Sequence, residues 1–324
     1  MRRRHACKRL RMPHQRGTEM RILMVGAGAT GGYFGGRLLQ HGRDVTFLVR
    51  ERRAAQLASD GLVIRSAHGD FTRQSPPTVL AAALDQSFDL IVLSCKAYGL
   101  SQVMADIAPA VGPDTAILPL LNGMQQVDLL DERFGTEHVL GGQCAIAATL
   151  DERGAVVHLN QMHSMSFGER DGSDTARMQQ ITEAFVGAGF DARPSRRILQ
   201  DMWDKWMFLT SLAGITCLMR GSVGEIMAAP GGEQAVLALF EECRVVAERS
   251  GYPASESSLQ RARGLLTDAS SSLTASMLRD LQHGQAIEAD HVIGDMLARA
   301  ERLGLPSPML TVVYTHLKVY ESTR

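Results

Sequence analysis

Two charged residues in the second half of the chain have the chemistry of a proton-transfer site. Lys205 lies in the segment 202–209 (MWDKWMFL), where most neighbours one helical turn away are large and apolar. Burial lowers the pKa of a lysine, so an amine held there is a candidate proton donor near neutral pH. Glu288 likewise interrupts an apolar helical pattern and could pair with that lysine. A surface ion pair, or exposure to solvent, is the structural alternative for both.

A glycine-rich turn near residue 26 has the spacing of a dinucleotide-binding loop. The apolar run 20–25 leads directly into the loop 26–31 (GAGATG) and then into an amphipathic helix. In such a loop the first glycine turns the chain, the second lets a pyrophosphate approach the backbone, and the third seats the helix on its strand. Gly26, Gly28 and Gly31 fit these roles. The alternative is a glycine-rich turn that binds nothing.

The residue that ends the second strand predicts which dinucleotide is bound. An NAD site usually has Asp or Glu there for the ribose hydroxyls, whereas an NADP site needs cations for the 2′-phosphate. The predicted strand 44–49 ends at Arg50, whose guanidinium suits a phosphate, and Arg52 or Arg53 could add a contact. We therefore predict NADP. The alternative places these arginines on the solvated face of the next helix, which suits Arg53 best.

Two further polar residues follow buried strands. The apolar runs 89–95 and 115–121 predict parallel strands buried on both faces, and they stop at Lys96 and at Asn122. Ligands of open parallel sheets bind beyond the carboxyl ends of the strands, so both residues are expected at the cofactor edge. A lysine can meet a phosphate or carboxylate there, and an asparagine amide can both donate and accept. A plain turn role is the alternative for each.

The elements that must position these residues divide the chain into two domains. Residues 20–191 mix strands with helices, whereas residues 192–324 show helical periodicity only. The expected fold is an α/β N-terminal Rossmann-type dinucleotide-binding domain followed by an all-α C-terminal domain for substrate binding and dimerisation. The strands predicted after the Rossmann core are a hairpin over 62–73 and strands over 139–150, 155–160, 164–168 and 189–195. The helices predicted in the second domain are 197–219, 232–250, 255–268, 274–281, 285–303 and 307–321.

Composition sets the broad class of the protein. The chain has 324 residues, 45% of them hydrophobic, which suffices for two globular domains with separate cores. Residues 1–19 carry seven cations against the single acidic Glu19 and are predicted to be a disordered basic extension. Without them the formal net charge changes from −1 to −7, which disfavours nucleic-acid binding. No apolar run approaches the ~20 residues of a membrane span, so a cytoplasmic location is expected.

Neither a metal site nor a disulfide framework is expected. The five cysteines are scattered and include no Cys-x-x-Cys pair. The closest interior histidines, His158 and His163, lie five positions apart in predicted strand and turn, so their side chains are not expected to share a face. We therefore assign no metal.

Taken together, these residues resemble the ketopantoate reductases (2-dehydropantoate 2-reductases) from Met20 to the C-terminus. The resemblance is carried by six motifs in the family order: GAGATG at 26–31, CKAY at 95–98, LNGM at 121–124, WDK at 203–205, SMLRD at 276–280 and IEAD at 287–290. It implies reduction of a 2-oxo acid by NADPH, namely ketopantoate to pantoate in pantothenate biosynthesis.

The resemblance also implies the roles of individual residues. Lys205 would donate the proton to the carbonyl oxygen, and Glu288 would orient the reacting group. Asn122 and Ser276 would position the substrate together with Lys205. The residues expected to bind the cofactor are Gly26, Ala27, Gly28, Ala29, Thr30, Gly31, Arg50, Lys96, Asn122 and Ala148.

The chain departs from the family pattern at three positions that usually carry substrate-binding asparagines. These positions are Leu209, Ala213 and Leu273. Thr210, Ser211 and Thr274 could compensate from adjacent positions. Because such polar contacts discriminate strongly between substrates, their loss makes a paralogue with an altered substrate an alternative to a ketopantoate-specific enzyme.

Two other functions fit the same architecture. Another two-domain hydroxyacid or opine-type dehydrogenase would also join a Rossmann domain to a helical domain with a lysine, but the motifs around Ser276 and Glu288 disfavour it. A non-catalytic NADP-responsive binding protein would explain the lost asparagines, but the retention of Lys205 with Glu288 disfavours it. The apolar C-terminal helices favour a homodimer.

Overall fold

A computed structural model describes residues 20–324, and the predicted basic extension lies outside the described residues. An N-terminal domain with two β-sheets precedes a helical domain, so the predicted fold class is confirmed. The strands are β1 (Ile22–Val25), β2 (Val45–Leu48), β3 (Leu62–Arg65), β4 (Phe71–Arg73), β5 (Thr78–Val79), β6 (Leu90–Leu93), β7 (Ala116–Pro119), β8 (Gly141–Leu150), β9 (Val156–Gly168) and β10 (Asp191–Pro194).

The helices divide between the two domains. The N-terminal domain contains α1 (Ala29–Gln40), α2 (Glu51–Asp60), α3 (Leu100–Ile107), α4 (Gln125–Phe134) and α5 (Ala176–Phe185), with short 3₁₀ turns at Ala81–Ala83, Ala97–Gly99 and Ala108–Ala110. The C-terminal domain contains α6 (Ile198–Met219), α7 (Val223–Ala228), α8 (Gly232–Arg249), α9 (Glu256–Leu266), α10 (Ser276–Gln282), a π-helical turn at Asp290–Gly294, α11 (Asp295–Arg302) and α12 (Pro308–Thr323).

The first sheet is parallel and has the strand order β5-β2-β1-β6-β7. Every residue of β1, β6 and β7 is buried, as their continuous apolar sequences predict for strands covered on both faces. The winding direction reverses between β1 and β6, and the hydroxyl of Ser94 donates to the Val25 carbonyl across this point at 2.7 Å. The fold therefore forms its ligand crevice beyond the ends of these two strands.

The second sheet packs against the other side of α1 and has the order β10-β9-β3-β4, with β8 antiparallel to β9. The predicted hairpin 62–73 is present as β3 and β4, but β3 also pairs with β9. The prediction of two strands over 155–160 and 164–168 is wrong, because β9 runs continuously and bends instead of ending.

The bend in β9 also brings two histidines together. Ile146 of β8 pairs with His163 and Ala148 pairs with His158, so residue 147 alone faces the four residues 159–162 of β9. This bulge changes the alternation of side chains, and the two imidazole rings lie 5.9 Å apart. The expectation that His158 and His163 do not share a face is therefore wrong. Among the described residues, no group of three or more His, Cys, Asp or Glu side chains is arranged to hold a metal ion.

The C-terminal domain is organised around α6, which is apolar on nearly all sides. Its tryptophans Trp203 and Trp206 are buried with side chains of α8 and α12, including Phe240 and Leu310. A helix surrounded in this way holds a fixed position, and any charged residue on it faces either a cleft or an unfavourable interior. Within residues 20–324, none of the helices combines the length and the apolar composition that a membrane-spanning segment requires.

Three expectations about the chain after residue 188 need correction. The boundary predicted between residues 191 and 192 cuts into β10, which pairs with β9 and so belongs to the N-terminal domain. The helix α7 was not predicted, because it has only six residues. The helix predicted over 285–303 begins at Ala289, since residues 285–288 are non-helical and place the carboxylate of Glu288 on the backbone of the other domain.

Strand β8 connects the two domains because two glycines let it pack closely on both sides. A Cβ atom on Gly141 would stand 2.6 Å from Ile198 of α6, and one on Gly142 would stand 2.6 Å from the Pro119 carbonyl of β7. Ordinary side chains do not approach so closely, so β8 is held between a strand of one domain and a helix of the other. The residues that follow, 143 and 144, are thereby fixed in position.

We expect Gly142→Ala to lower the free energy of unfolding by about 1 to 3 kcal/mol, because the added methyl group would overlap the Pro119 carbonyl oxygen as well as the buried Leu118 side chain. Gly264→Ala is the matched control, since Gly264 lies within α9 with no atom in the way, and alanine should leave stability unchanged or raise it by about 0.5 to 1 kcal/mol. Thermal unfolding of both variants measures the difference. Equal melting temperatures would show that β8 is not tightly held.

Candidate active site

The glycine loop between β1 and α1 has three distinct local environments. Gly26 has φ +92°, a conformation that only glycine adopts without strain. A Cβ on Gly31 would overlap the carbonyl oxygen of Gly26, so the third glycine is needed for packing of α1. Gly28, in contrast, has open space where its Cβ would stand, and the chain itself gives no packing reason for glycine there. The backbone at Gly28 is therefore accessible to a ligand at the N-terminus of α1.

A groove of about 540 Å³ extends from this loop along the ends of the first sheet. Among the predicted cofactor residues, Gly26, Ala27, Arg50 and Lys96 line it. Ala29, Thr30 and Gly31 form the first turn of α1 beside it. Ala148 lies on β8 and packs against the core of the N-terminal domain, and it is not among the residues that line the groove. The groove fits a dinucleotide in size, in its glycine loop and in the three cations that line it, Arg50, Arg53 and Lys96.

The arginines after β2 have different roles. Arg50 immediately precedes α2 and is exposed beside the groove. Arg53 does not lie on a solvated helix face as expected, because its Nε donates to the Ala27 carbonyl at 3.0 Å and its Nη1 donates to the Gly154 carbonyl at 3.0 Å. Arg53 therefore holds the glycine loop in place. Arg52 is exposed and does not line the groove.

Lys96 and Glu288 meet across the interdomain cleft. The Lys96 ammonium donates to Asp280 Oδ2 at 3.0 Å and to Glu288 Oε2 at 3.4 Å, and Glu288 Oε1 accepts from the Ala97 amide at 2.8 Å. Burial acts to lower the pKa of Lys96, but the two carboxylates outweigh it and the pKa is raised above 10.5. The cation at the end of β6 therefore stays charged and joins the cofactor groove to α10 and to the segment before α11.

Lys205 points from α6 towards β8, where its ammonium donates to the Cys144 carbonyl at 2.7 Å. Burial lowers the pKa of Lys205 below 10.5, and the charge of Glu288 opposes this effect only in part. The expected direct pairing of Lys205 with Glu288 is not observed, because Glu288 binds Lys96 and the Ala97 amide instead. The two residues interact through their charges across the cleft.

Asn122 and Lys205 line the same small cavity, of about 10 Å³, together with Gly123, Gln143 and Leu209. The loop carrying Asn122 is held by Gln126, whose Nε2 donates to the Gly123 carbonyl at 2.6 Å and whose Oε1 accepts from His291 Nε2 at 2.8 Å. The structure thus brings together a strand-end amide and a buried amine from two domains. A second and larger cleft, of about 760 Å³, reaches Lys205 and Gln143 from outside.

Ser276 lies at the first position of α10, exposed, one turn before Asp280. It is on the element that contacts Lys96, but it does not line the cavity of Asn122 and Lys205. Of the positions that lack the family asparagines, Leu209 lines that cavity and Ala213 is buried on the same helix. Leu273 packs against the core of the C-terminal domain.

The adjacent hydroxyls that could compensate on α6 are already hydrogen-bonded within the protein. Thr210 Oγ1 donates to the Val292 carbonyl at 3.2 Å in the π-helical turn, and Ser211 Oγ donates to the Met207 carbonyl at 2.9 Å. Both residues are fully buried. They stabilise the packing of α6 and do not face the cavity.

Sequence reasoning missed several residues at this site. Asp280 was inside a recognised motif but had no role assigned. Gln143 and Cys144 gave one signal, a polar residue and a thiol after a Gly-Gly pair in an otherwise apolar strand. His291 and Gln126 gave none, because their contact joins residues far apart in the chain.

The fold and the site together define a class: a two-domain oxidoreductase in which a Rossmann-type domain presents a dinucleotide groove and a helical domain places a buried lysine at the boundary between the domains. Residues 22–172 match the model of the family "Ketopantoate reductase PanE/ApbA", and residues 197–321 match that of its C-terminal domain. The chain therefore belongs to the ketopantoate reductase family, whose members are oxidoreductases that act on CH–OH groups.

Individual relatives agree with this assignment. The chain is 39% identical to YkpB of Bacillus subtilis (strain 168), described as an uncharacterized oxidoreductase, over 94% of this chain and 100% of the relative. It matches the crystal structure of a 2-dehydropantoate 2-reductase from Geobacter metallireducens with a TM-score of 0.83 and 29% identity, covering 92% and 99% of the two chains. A ternary structure of a D-mandelate dehydrogenase with NADH and anilino(oxo)acetate shares the fold, with a TM-score of 0.84 at 21% identity and coverage of 94% and 99%.

Two glycines of the loop allow cofactor binding and folding to be tested separately. We expect Gly28→Ala to weaken NADPH binding by about tenfold or more while leaving the melting temperature unchanged, because its methyl group would occupy space that only a ligand uses. Gly31→Ala should impair both properties, since its Cβ overlaps the Gly26 carbonyl. Fluorescence titration and thermal unfolding measure the two effects. Unchanged NADPH affinity in Gly28→Ala would show that the ligand does not approach this loop.

Proposed function

We propose that this protein reduces a 2-oxo acid to a 2-hydroxy acid with NADPH, as a 2-dehydropantoate 2-reductase or as a paralogue with an altered substrate. The observation that carries the proposal is the position of Lys205, a buried amine that shares a cavity with Asn122 at the end of β7. The family and the glycine-lined groove support it. A screen of NADPH oxidation against 2-oxo acids that include ketopantoate tests it, and no turnover with any of them would exclude it.

The chain's own residues supply binding, orientation and a proton. When bound, NADPH supplies the hydride that reduces the carbonyl carbon. Lys205 Nζ, held at the Cys144 carbonyl, donates a proton to the carbonyl oxygen as negative charge develops there. Asn122 orients the carbonyl group, and Glu288 keeps the two domains together through the Ala97 amide. A substrate that fills the cleft beside Lys205 would displace water there, which would strengthen each charge interaction.

A second candidate substrate class follows from α6. Leu209 lines the cavity and Ala213 is buried at positions where the family usually has asparagines. An apolar or aromatic 2-oxo acid, such as the substrate of a mandelate dehydrogenase, would suit these side chains. The same screen separates the two classes when it includes phenylglyoxylate.

The proposal also includes a cytoplasmic location and a homodimer. Val312 and Val319 on α12 are exposed apolar residues that a partner subunit could cover.

We expect the protein to prefer NADPH to NADH, with Arg50 binding the 2′-phosphate. Arg50→Asp should weaken NADPH binding by about one to two decades, because a charge-assisted pair worth about 1.5 to 3 kcal/mol is lost. Arg52→Asp is the matched control, since it makes the same change of charge at an exposed residue that does not line the groove. Titrations with both cofactors measure the preference. Equal affinities for NADPH and NADH in the unmodified protein would contradict a role of Arg50 in binding the 2′-phosphate.

We expect Lys205→Ala to lower turnover by about two to four decades, the usual effect of removing a general acid, while NADPH binding stays within about twofold. Lys318→Ala, a lysine on the surface of α12, is the control and should keep full turnover. Near-normal turnover in Lys205→Ala would remove the mechanism. Loss of NADPH binding as well would indicate a structural lysine.

The pH profile gives an independent readout of the same group. Lys205 must be protonated to act, so the rate of reduction should fall as pH rises through its pKa, which lies below 10.5. The negative charge of Glu288 raises this pKa, so Glu288→Gln should move the fall in rate to lower pH. A movement to higher pH would contradict the assignment.

A further inference from the structure

We propose that Gln143 contacts the substrate and determines its specificity, replacing from strand β8 the polar contacts that α6 has lost. Nothing in the family resemblance assigns a role to this residue. The inference rests on the proposed reduction of a 2-oxo acid. It names the group of the substrate that the site recognises, a hydroxyl beyond the carbonyl carbon.

The position of Gln143 is fixed by its neighbours on β8. It follows Gly141 and Gly142, which hold the strand between β7 and α6, and it pairs in register with Ser166 of β9. The next residue, Cys144, offers the carbonyl that holds Lys205. A shift of the β8 backbone at Gln143 would therefore also move the Cys144 carbonyl that holds Lys205.

Gln143 is at the junction of two cavities. It lines the small inner cavity with Asn122, Lys205 and Leu209, and it lines the larger outer cleft with Lys205. Only these two residues, among those described, line both cavities. A ligand whose carbonyl oxygen meets Lys205 must therefore pass beside the amide of Gln143.

The amide oxygen of Gln143 is buried, and no donor in residues 20–324 bonds to it. Buried carbonyl oxygens are nearly always paired, because an unpaired one loses the hydrogen bonds that water would make. The hydroxyls of Thr210 and Ser211 on α6 do not donate to this oxygen, because they donate to the backbone carbonyls of other residues. The oxygen is thus an acceptor without a donor, on a residue that lines both cavities.

The chemistry of a 2-oxo acid restricts what this acceptor can bind. The ionised carboxylate and the carbonyl group accept hydrogen bonds but donate none, so neither can pair with the amide oxygen. The substrate must therefore carry a donor elsewhere, and in a 2-oxo acid without nitrogen that donor is a hydroxyl. The outer cleft has room for a chain that carries one, and it is lined by further polar groups, including those of Ser166, Arg193 and Ser258. The geometry therefore favours a hydroxylated 2-oxo acid over an apolar one of the same size.

The test compares substrates that differ only in that hydroxyl. Ketopantoate is paired with trimethylpyruvate, and hydroxypyruvate with pyruvate, and kcat/KM is measured for each with NADPH. We expect the unmodified protein to favour the hydroxylated member of at least one pair by about 10- to 100-fold. Gln143→Leu should lose at least tenfold of that preference while its rate with the unhydroxylated member is kept. Gln143→Glu, which retains an acceptor, should keep most of the preference.

Controls separate a specificity role from a structural one. Gln179→Leu changes an exposed glutamine of α5 and should leave the preference unchanged. The melting temperature and the NADPH affinity of Gln143→Leu show whether β8 stays in place, and equal losses with both members of a pair would overturn the specificity role. A preference that survives Gln143→Leu, or an unmodified protein that reduces only unhydroxylated 2-oxo acids, would overturn this inference and leave the proposed function intact. Failure to reduce any 2-oxo acid while NADPH still binds would overturn both.

Discussion

The hydrogen bond from Lys205 to the Cys144 carbonyl is the contact on which the site depends. It joins the central helix of one domain to a strand of the other, and it holds the Lys205 ammonium at the cleft between them. Both partners are fixed by packing: α6 is apolar on nearly all sides, and β8 is held at Gly141 and Gly142. A donor held by two rigid elements keeps the orientation that proton transfer requires.

A second contact joins the two domains next to the dinucleotide groove. Glu288 accepts from the Ala97 amide and from Lys96, so the helical domain is held at the strand end that borders the dinucleotide groove. A phosphate or carboxylate near Lys96 competes with Glu288 and Asp280 for the same cation. The cation at the border of the groove is therefore also one of the contacts that hold the two domains together.

Sequence patterns predicted the parts of this structure that arise locally. The glycine loop, the buried strands and the long helices follow from spacing over a few residues, and they locate Lys96 and Asn122 at strand ends through topology alone. The predictions that were wrong concern features that depend on contacts between distant segments of the chain. The bulge in β9 exists because β8 pairs beside it, Arg53 turns away from solvent because the Ala27 carbonyl is there, and residues 285–288 are non-helical because Glu288 bonds to the other domain. None of these partners can be read from a local pattern.

The Lys205 ammonium has hydrogen-bond donors to spare, and this affects the proposed chemistry. An ammonium has three donors, and the described chain gives this one a single acceptor, the Cys144 carbonyl. Burial without an adjacent anion favours the neutral amine, which is the direction in which the pKa is shifted. An anionic 2-oxo acid bound where the outer cleft reaches Lys205 would bring the missing negative charge and an acceptor for a second donor. Under the proposed function, substrate binding and protonation of Lys205 therefore favour each other, so the proton is held most firmly when a carbonyl oxygen is present to receive it.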